Sequence, residues 1–164
     1  MLKYYNAMVV FEEIPDEITL AINITNCPCK CPGCHSKFLW DDNGTELTVE
    51  VLHKLIKEND GITCVCFMGG DKDPEEVVKL SEYVNCIEHL NVGWYSGKDD
   101  FVNNLNYDFF EYVKIGHYDM NLGGLDSKTT NQRLYKKNIN TSNGLNLPIW
   151  HDITSKFWKH ETEN

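Results

Sequence analysis

The chain has 164 residues, and its 25 acidic and 15 basic side chains give a formal net charge of −10. That charge argues against nucleic acid and anionic membranes as partners, because both attract basic proteins. The sequence holds no run of about 18 uncharged apolar residues and lacks a signal-peptide pattern. We therefore expect no transmembrane helix, and a single domain over residues 1–164 that works in the cytoplasm.

The first half of the chain predicts strands and helices in alternation. Residues 17–24, "EITLAINI", alternate as in a strand. A helix is expected from Thr48, whose hydroxyl can cap it, and "ITCVCF" (62–67) is typical of a short buried strand. Asp73 is expected to cap a second helix with Pro74 as its first residue.

The alternation continues with weaker signals. "NVGWY" (91–95) and "YVKIG" (112–116) are predicted strands, a helix is expected over 98–105, and "ITSKFWKH" (153–160) is predicted to form a short closing helix. Strands that alternate with helices indicate parallel βαβ units. We therefore expect an α/β fold with a mostly parallel sheet, too short for a closed eight-unit barrel.

Three unusual motifs directly follow predicted strands. The stretch "NCPCKCPGCHS" (26–36) comes after the first strand, "MGGD" (68–71) after the second and "YSG" (95–97) after the third. The carboxyl ends of parallel strands lie at one edge of a sheet, where ligands bind in α/β folds. We expect the three motifs to meet there.

Cys27, Cys31 and Cys34 have the spacing C-x3-C-x2-C. Three thiolates on a short loop can hold three irons of a [4Fe–4S] cluster and leave the fourth iron open to a chelating ligand, whereas a structural cluster usually takes four cysteines. A zinc site is the alternative, although structural zinc usually takes two separated ligand pairs. The odd total of seven cysteines and their tight spacing argue against a disulfide framework.

The remaining cysteines give a weaker metal signal. Cys29 lies inside the motif and is either a fourth ligand or a bystander. We place Cys64 and Cys66 on opposite faces of a strand, so that at most one of them can reach the loop. Both, like Cys86, are expected to be buried as small hydrophobic side chains.

The cysteine loop and the Gly-Gly-acid turn resemble those of the radical S-adenosylmethionine (SAM) enzymes. "CPGCHS", "MGGDKDP", "VGWYSG" and "TTNQRLY" are similar, in this order, to motifs of the family of anaerobic ribonucleoside-triphosphate reductase activating proteins. The resemblance implies a partial (β/α) barrel of radical SAM type. It also implies a [4Fe–4S] cluster on Cys27, Cys31 and Cys34 whose open iron binds SAM.

The resemblance also implies further site residues and partners. Contacts with SAM are implied at seven positions: Gly69, Gly70 and Asp71 for the amino group, Gly33 and His35 for adenine, and Tyr95 and Ser96 for the ribose or methionine side. A small redox protein would supply an electron that cleaves SAM and gives a 5′-deoxyadenosyl radical. That radical would remove a hydrogen atom from a glycine of the large catalytic subunit of anaerobic ribonucleoside-triphosphate reductase.

Two features depart from that family. The segment "FEEIPDEITL" (11–20) lacks the family's run "DG-x-G-x-R", and Ile115-Gly116 stands where the family tends to have Asp-Gly. Other functions stay open: activation of another glycyl radical enzyme, iron–sulfur electron transfer, and a zinc-stabilised binding module. The tract "TTNQR" either bonds a neighbouring loop or offers Asn131 and Arg133 to a partner.

Overall fold

The computed structural model describes residues 1–140 and 147–158. These residues form one mixed β-sheet of eight strands and two α-helices. The strands are β1 (Lys3–Val10), β2 (Thr19–Ile24), β3 (Thr45–Glu46), β4 (Cys64–Met68), β5 (Asn91–Tyr95), β6 (Tyr112–Ile115), β7 (Arg133–Asn140) and β8 (Leu147–Asp152). The helices are α1 (Val49–Glu58) and α2 (Pro74–Asn85). The strand order across the sheet is β3-β1-β2-β4-β5-β6-β7-β8.

The centre of the sheet is parallel and its flanks are antiparallel. β2, β4, β5 and β6 run in one direction, and α1 and α2 lie in the connections between β2 and β4 and between β4 and β5. Among the strand pairs of the described residues, three are parallel and four antiparallel. The α/β class is confirmed, but the expectation of a mostly parallel sheet is wrong. Over the described residues the sheet is open and does not close into a barrel.

The antiparallel strands, which flank the parallel centre, have weak sequence signals and were not predicted. β7, "RLYKKNIN", is polar along most of its length, β1 is only partly buried, and β3 has two residues. Such strands lack the strong hydrophobic alternation that predicts a strand. Backbone hydrogen bonds to the neighbouring strand hold them in place.

The helices α1 and α2 form with the caps that the sequence predicts. Val51 N donates to Thr48 Oγ1 at 3.3 Å, and Glu76 N donates to Asp73 Oδ1 at 3.3 Å. Pro74 is the first residue of α2. The helices cover one face of the sheet and bury an apolar core that includes Leu20, Ile22, Ile24, Val65, Phe67, Val77, Leu80, Val92, Trp94 and Val113.

The helix expected over 98–105 does not form, and the segment is irregular, with bends at 98–100 and a turn at 103–104. Phe101 packs against Tyr107 and Trp150, with ring centroids 5.0 and 5.5 Å away. Asn104 has a φ of 61°, which lies outside the helical region. The packing of Phe101 on Tyr107 and Trp150 therefore stabilises an irregular conformation of this segment in place of a helix.

Cys64 and Cys66 lie on the same face of β4, so their predicted placement on opposite faces is wrong. Residues two apart in a strand share a face, and both thiols are buried in a second apolar cluster with Ile14, Tyr112 and Leu134. Burial raises the pKa of both thiols, which suits their predicted role as small hydrophobic side chains. Cys86 was also expected to be buried, but it is exposed because it directly follows the last residue of α2.

The predicted closing helix is confirmed in part. Thr154–Phe157 form a short 3₁₀ helix, which Thr154 ties to β7 by accepting a hydrogen bond from Leu134 N at 2.9 Å. Residues 159–160 of the prediction lie outside the described residues. Within residues 1–140 and 147–158, no helix has both the length and the apolar character needed to cross a membrane.

Candidate functional site

The carboxyl ends of the four parallel strands meet at one edge of the sheet. Residues near these ends are in register: Asn23 pairs with Met68, Met68 with Tyr95, and Tyr95 with Lys114. The cysteine loop leaves β2 at this edge, and the "MGGD" and "YSG" turns leave β4 and β5. The structure therefore brings the three motifs together, as the sequence predicts.

The cysteine loop, residues 27–34, is anchored at its start and turns sharply. Asn26 N donates to Asp41 O at 3.0 Å. Asn26, Lys30 and Gly33 have φ angles of 60°, 43° and 76°, so the backbone is left-handed at three points. The loop leaves all four of its cysteines partly buried.

The sulfur atoms of this loop are not equivalent. The Cys29 thiol donates a hydrogen bond to Cys27 Sγ, which lowers the pKa of Cys27 to about 6, and the backbone amides of Cys29 and Lys30 add to this effect. The same hydrogen bond raises the pKa of Cys29. Cys34 Sγ accepts a hydrogen bond from Ser36 N at 3.3 Å. These hydrogen bonds favour the thiolate form of Cys27, which is the form that binds metals.

Asp71 joins the "MGGD" turn to the "YSG" turn. Ser96 Oγ donates to Asp71 Oδ1 at 2.5 Å, and Gly97 N donates to Asp71 Oδ2 at 2.9 Å. Asp71 and Ser96 are buried, with exposed fractions of 9% and 2%. The carboxylate is thus held in one orientation, and its oxygens keep lone pairs for a further donor.

Gly69 and Gly70 form a turn that other residues would strain. Their φ angles are +102° and +95°, and a Cβ at Gly70 would lie 2.5 Å from Val77 Cγ2. Trp94 Nε1 donates to Gly69 O at 2.8 Å. The turn that carries Asp71 is therefore fixed by both its neighbouring strand and the following helix.

Gly97 lets the cysteine loop approach the second turn closely. A Cβ at Gly97 would lie 2.7 Å from Cys29 Sγ and 3.6 Å from Asp71 Oδ2. Cys29 is therefore the side chain at which the three motifs touch. The spacing of the cysteines alone left its role open between a fourth ligand and a bystander.

Lys114 belongs to this site, and the sequence reasoning missed it. Its Nζ donates to Gly116 O at 2.6 Å and to Ser96 O at 3.3 Å, and its exposed fraction is 7%. Burial lowers the pKa of Lys114 to about 8, against the opposing effect of Asp71 and of the loop cysteines. A lysine inside an otherwise apolar predicted strand, "YVKIG", was the signal that could have identified it.

A cleft of about 990 Å³ opens beside the three turns. Its wall includes Cys34, His35 and Tyr95, three residues of the predicted site. The His35 ring lies 5.4 Å from the Tyr118 ring. The Tyr95 hydroxyl donates to the backbone oxygen of Glu13, which also lines the cleft, and burial raises the pKa of Tyr95.

The predicted SAM contacts therefore fall into two neighbouring groups. His35 and Tyr95 line the cleft, whereas Asp71 and Ser96 meet the cysteine loop through Gly97. Gly69 and Gly70 lie in the turn before Asp71. Gly33 packs against Met120, since a Cβ at Gly33 would lie 3.1 Å from Met120 Cβ. Lys114 links the groups, since it lines the cleft and bonds to Ser96.

The polar tract "TTNQR" bonds neighbouring backbone. Asn131 Nδ2 donates to His117 O at 3.0 Å, and Arg133 Nη1 donates to Thr130 O and Gln132 O at 2.7 Å each. These bonds favour the first of the two interpretations of the tract, a structural one.

The loop fits an iron–sulfur cluster in its donor chemistry. Its cysteines are partly exposed, hydrogen bonds lower the pKa of Cys27, and a backbone amide bonds the sulfur of Cys34. Within residues 1–140 and 147–158, however, no three His, Cys, Asp or Glu side chains are arranged as a group that could hold a metal ion. Cluster binding would therefore require the loop sulfurs to turn from their present partners.

Comparison with known proteins adds no family to these observations: no family model, curated protein or solved structure matches the chain. The fold and the site define an α/β protein with a thiol-rich loop and a buried carboxylate beside a large cleft. The likeness to radical SAM enzymes stays a prediction.

Proposed function

We propose that the protein is a radical SAM activase that generates a glycyl radical on anaerobic ribonucleoside-triphosphate reductase. One observation carries this proposal: the cysteine loop, the Gly-Gly-acid turn and the "YSG" turn touch at a single point, where Gly97 N bonds Asp71 and Cys29 Sγ packs against Gly97. Parallel strand direction brings the three turns to one edge of the sheet, and these contacts add a buried carboxylate directly beside the thiol-rich loop, which suits a ligand with an ammonium group. The four parallel strands would be the core of a partial barrel of radical SAM type.

In this proposal the residues at the strand ends bind two groups, an iron–sulfur cluster and SAM. Cys27, Cys31 and Cys34 would hold a [4Fe–4S] cluster, and the buried Asp71 carboxylate would receive the amino group of SAM. When bound, the cluster and SAM would supply the one-electron chemistry that removes a hydrogen atom from a glycine Cα of the partner. Ser96 and Gly97 hold the Asp71 carboxylate ready for a cation, since their donors fix both of its oxygens.

The cleft gives the proposal room for SAM and a partner segment. His35 and Tyr118 offer ring faces on which adenine can stack, and Tyr95 lines the same wall. A volume of about 990 Å³ leaves space for the glycine-bearing segment of the large catalytic subunit. The electron would come from a small redox protein, and the work would be done in the cytoplasm.

The test is to purify the protein anaerobically and assay its metal and its reaction with SAM. We expect about four irons and four sulfides per chain, and formation of methionine and 5′-deoxyadenosine after reduction with dithionite. The Cys31→Ala variant should lose the cluster, and Cys29→Ala, its matched control in the same loop, should keep it. Zinc without iron, or equal loss in both variants, would contradict the proposed cluster site.

One observation favours a second candidate, an iron–sulfur electron carrier. Cys29 lies within hydrogen-bonding distance of Cys27, so a fourth thiolate is at hand to close the cluster. A closed cluster would leave no iron for SAM. An iron-loaded protein that never cleaves SAM with a competent reductant present would favour this second function.

A further inference from the structure

We propose that Lys114 is a positioning residue that holds the Asp71 carboxylate in place through Ser96. That Asp71 binds the amino group of SAM rests on the proposed function. The contacts between Lys114, Ser96 and Asp71, which support the positioning role, are independent of any ligand. They run from the end of β6, through the turn after β5, to the turn after β4.

The first step is the position of the Lys114 ammonium between two turns. It donates to Ser96 O after β5 and to Gly116 O after β6. Gly116 N in turn donates to Lys98 O at 2.6 Å, which closes the link between the two turns. Among the described residues, Lys114 is the only buried lysine or arginine. A cation is costly to bury, so a hydrophobic side chain would be expected here if the position served packing alone.

The second step is the orientation of the Ser96 hydroxyl. Its oxygen accepts a hydrogen bond from Lys98 N at 3.0 Å, and its proton is directed to Asp71 Oδ1. The adjacent Gly97 N donates to the other oxygen of the carboxylate. A shift of the turn at residues 96–98 would therefore disturb both of the donors, Ser96 Oγ and Gly97 N, that hold the Asp71 carboxylate.

The third step is charge. The Lys114 ammonium interacts favourably with Asp71 and with Cys29 and Cys31 of the loop. Its positive charge offsets the negative charge of the buried Asp71 carboxylate, so that this carboxylate can lie in the interior beside the loop. Lys114 thus supports the site through both its hydrogen bonds and its charge.

The test compares Lys114→Met with a matched control, Lys136→Met, which removes a partly exposed lysine of β7 that lies over the Tyr112 ring. Hydrogen–deuterium exchange of the full-length chain is resolved to the Gly97 and Lys98 amides by fragmentation. Affinity for S-adenosylhomocysteine, a stable analogue of SAM, is measured by calorimetry. We expect about tenfold faster exchange at both amides and about tenfold weaker binding in Lys114→Met, with neither change in Lys136→Met.

A second variant keeps the proposal testable if Lys114→Met fails to fold. Ser96→Ala should speed exchange at Gly97 to the same extent, and the double variant should add no further loss, because both residues act through one path. Unchanged exchange at Gly97 in a folded Lys114→Met protein, or full additivity in the double variant, would overturn the positioning role. Exchange needs no ligand, so it decides this role even if wild-type protein does not bind the analogue, a result that would count against the proposed function alone.

Discussion

At the scale of single residues, the site depends on charges held in partly or fully buried places. A neighbouring thiol and two amides bond the Cys27 sulfur and lower its pKa, and Asp71 is fixed by two donors. Lys114 provides the balancing positive charge. Cys27 gains its property from within its own loop, whereas Asp71 and Lys114 are held by turns that follow other strands, so their chemistry depends on the folded strand ends.

Lys114 makes the stability of the protein depend on pH. Its pKa is lowered from 10.5 to about 8 in the folded state, so between these values the unfolded chain binds more protons than the folded one. Stability should therefore rise with pH across this window, on the order of 2 kcal/mol between pH 7.5 and 9.5. Urea unfolding under reducing conditions at the two pH values measures this rise.

The Lys114→Met variant is the control for that measurement, because Asp71, Asp99, Cys29 and Cys31 also face the ammonium and the rest of the chain contributes its own pH dependence. The rise due to Lys114 is the difference between wild type and variant. An equal rise in both proteins would show that Lys114 is not the group responsible.

At the scale of elements, the site is a set of turns that fit each other closely. The turn after β4 is held by Trp94 and α2, and the turn after β5 leaves room for Cys29 only because residue 97 is glycine. The cysteine loop therefore depends on its neighbours for its shape. Two substitutions test these fits.

Gly97→Ala should push the cysteine loop away from the turn after β5. The new Cβ would lie 2.7 Å from Cys29 Sγ and 3.4 Å from Cys29 Cβ, so the clash involves the sulfur. We expect a loss of thermal stability and of iron loading, and recovery of both in the double variant Cys29→Ala with Gly97→Ala. A double variant as impaired as Gly97→Ala alone would argue that the two side chains do not meet.

Trp94→Phe should loosen the turn that carries Asp71. It removes the hydrogen bond to Gly69 O from a fully buried ring, and should lower the free energy of unfolding by about 1–3 kcal/mol. Trp40→Phe is a matched control, since Trp40 Nε1 is buried without a hydrogen-bond partner among the described residues. Chemical denaturation measures the free energy of unfolding of both variants. An equal loss of this free energy in the two variants would contradict a stabilising role for the Trp94 hydrogen bond.

At the scale of the whole molecule, the sheet combines a parallel centre with antiparallel flanks. The parallel centre places the ends of β2, β4, β5 and β6 at one edge. At the opposite end of these strands, Glu17 accepts hydrogen bonds from Thr63, Asn91 and Tyr112 at 2.5, 2.8 and 2.8 Å. The strands are thus tied together by Glu17 at one end and carry the turns of the candidate site at the other.

The sequence predicted the elements whose signals are local. Thr48 and Asp73 cap their helices because a hydroxyl or carboxylate at that position bonds the first turn, and the meeting of the three motifs follows from parallel strand direction. The flanking strands, the turns at 98–105 and the role of Lys114 depend on distant contacts. No periodicity records that Phe101 packs on Trp150, or that Lys114 bonds Ser96 O.

The most direct test of the account is electron paramagnetic resonance on the protein with its proposed partner. The cluster-loaded chain is mixed anaerobically with SAM, a reductant and the catalytic subunit of anaerobic ribonucleotide reductase from the same organism. We predict a doublet signal from a glycyl radical, which collapses when the subunit carries glycine deuterated at Cα and is missing with Cys31→Ala. A chain that cleaves SAM but gives no such signal on this subunit would contradict the proposed activity.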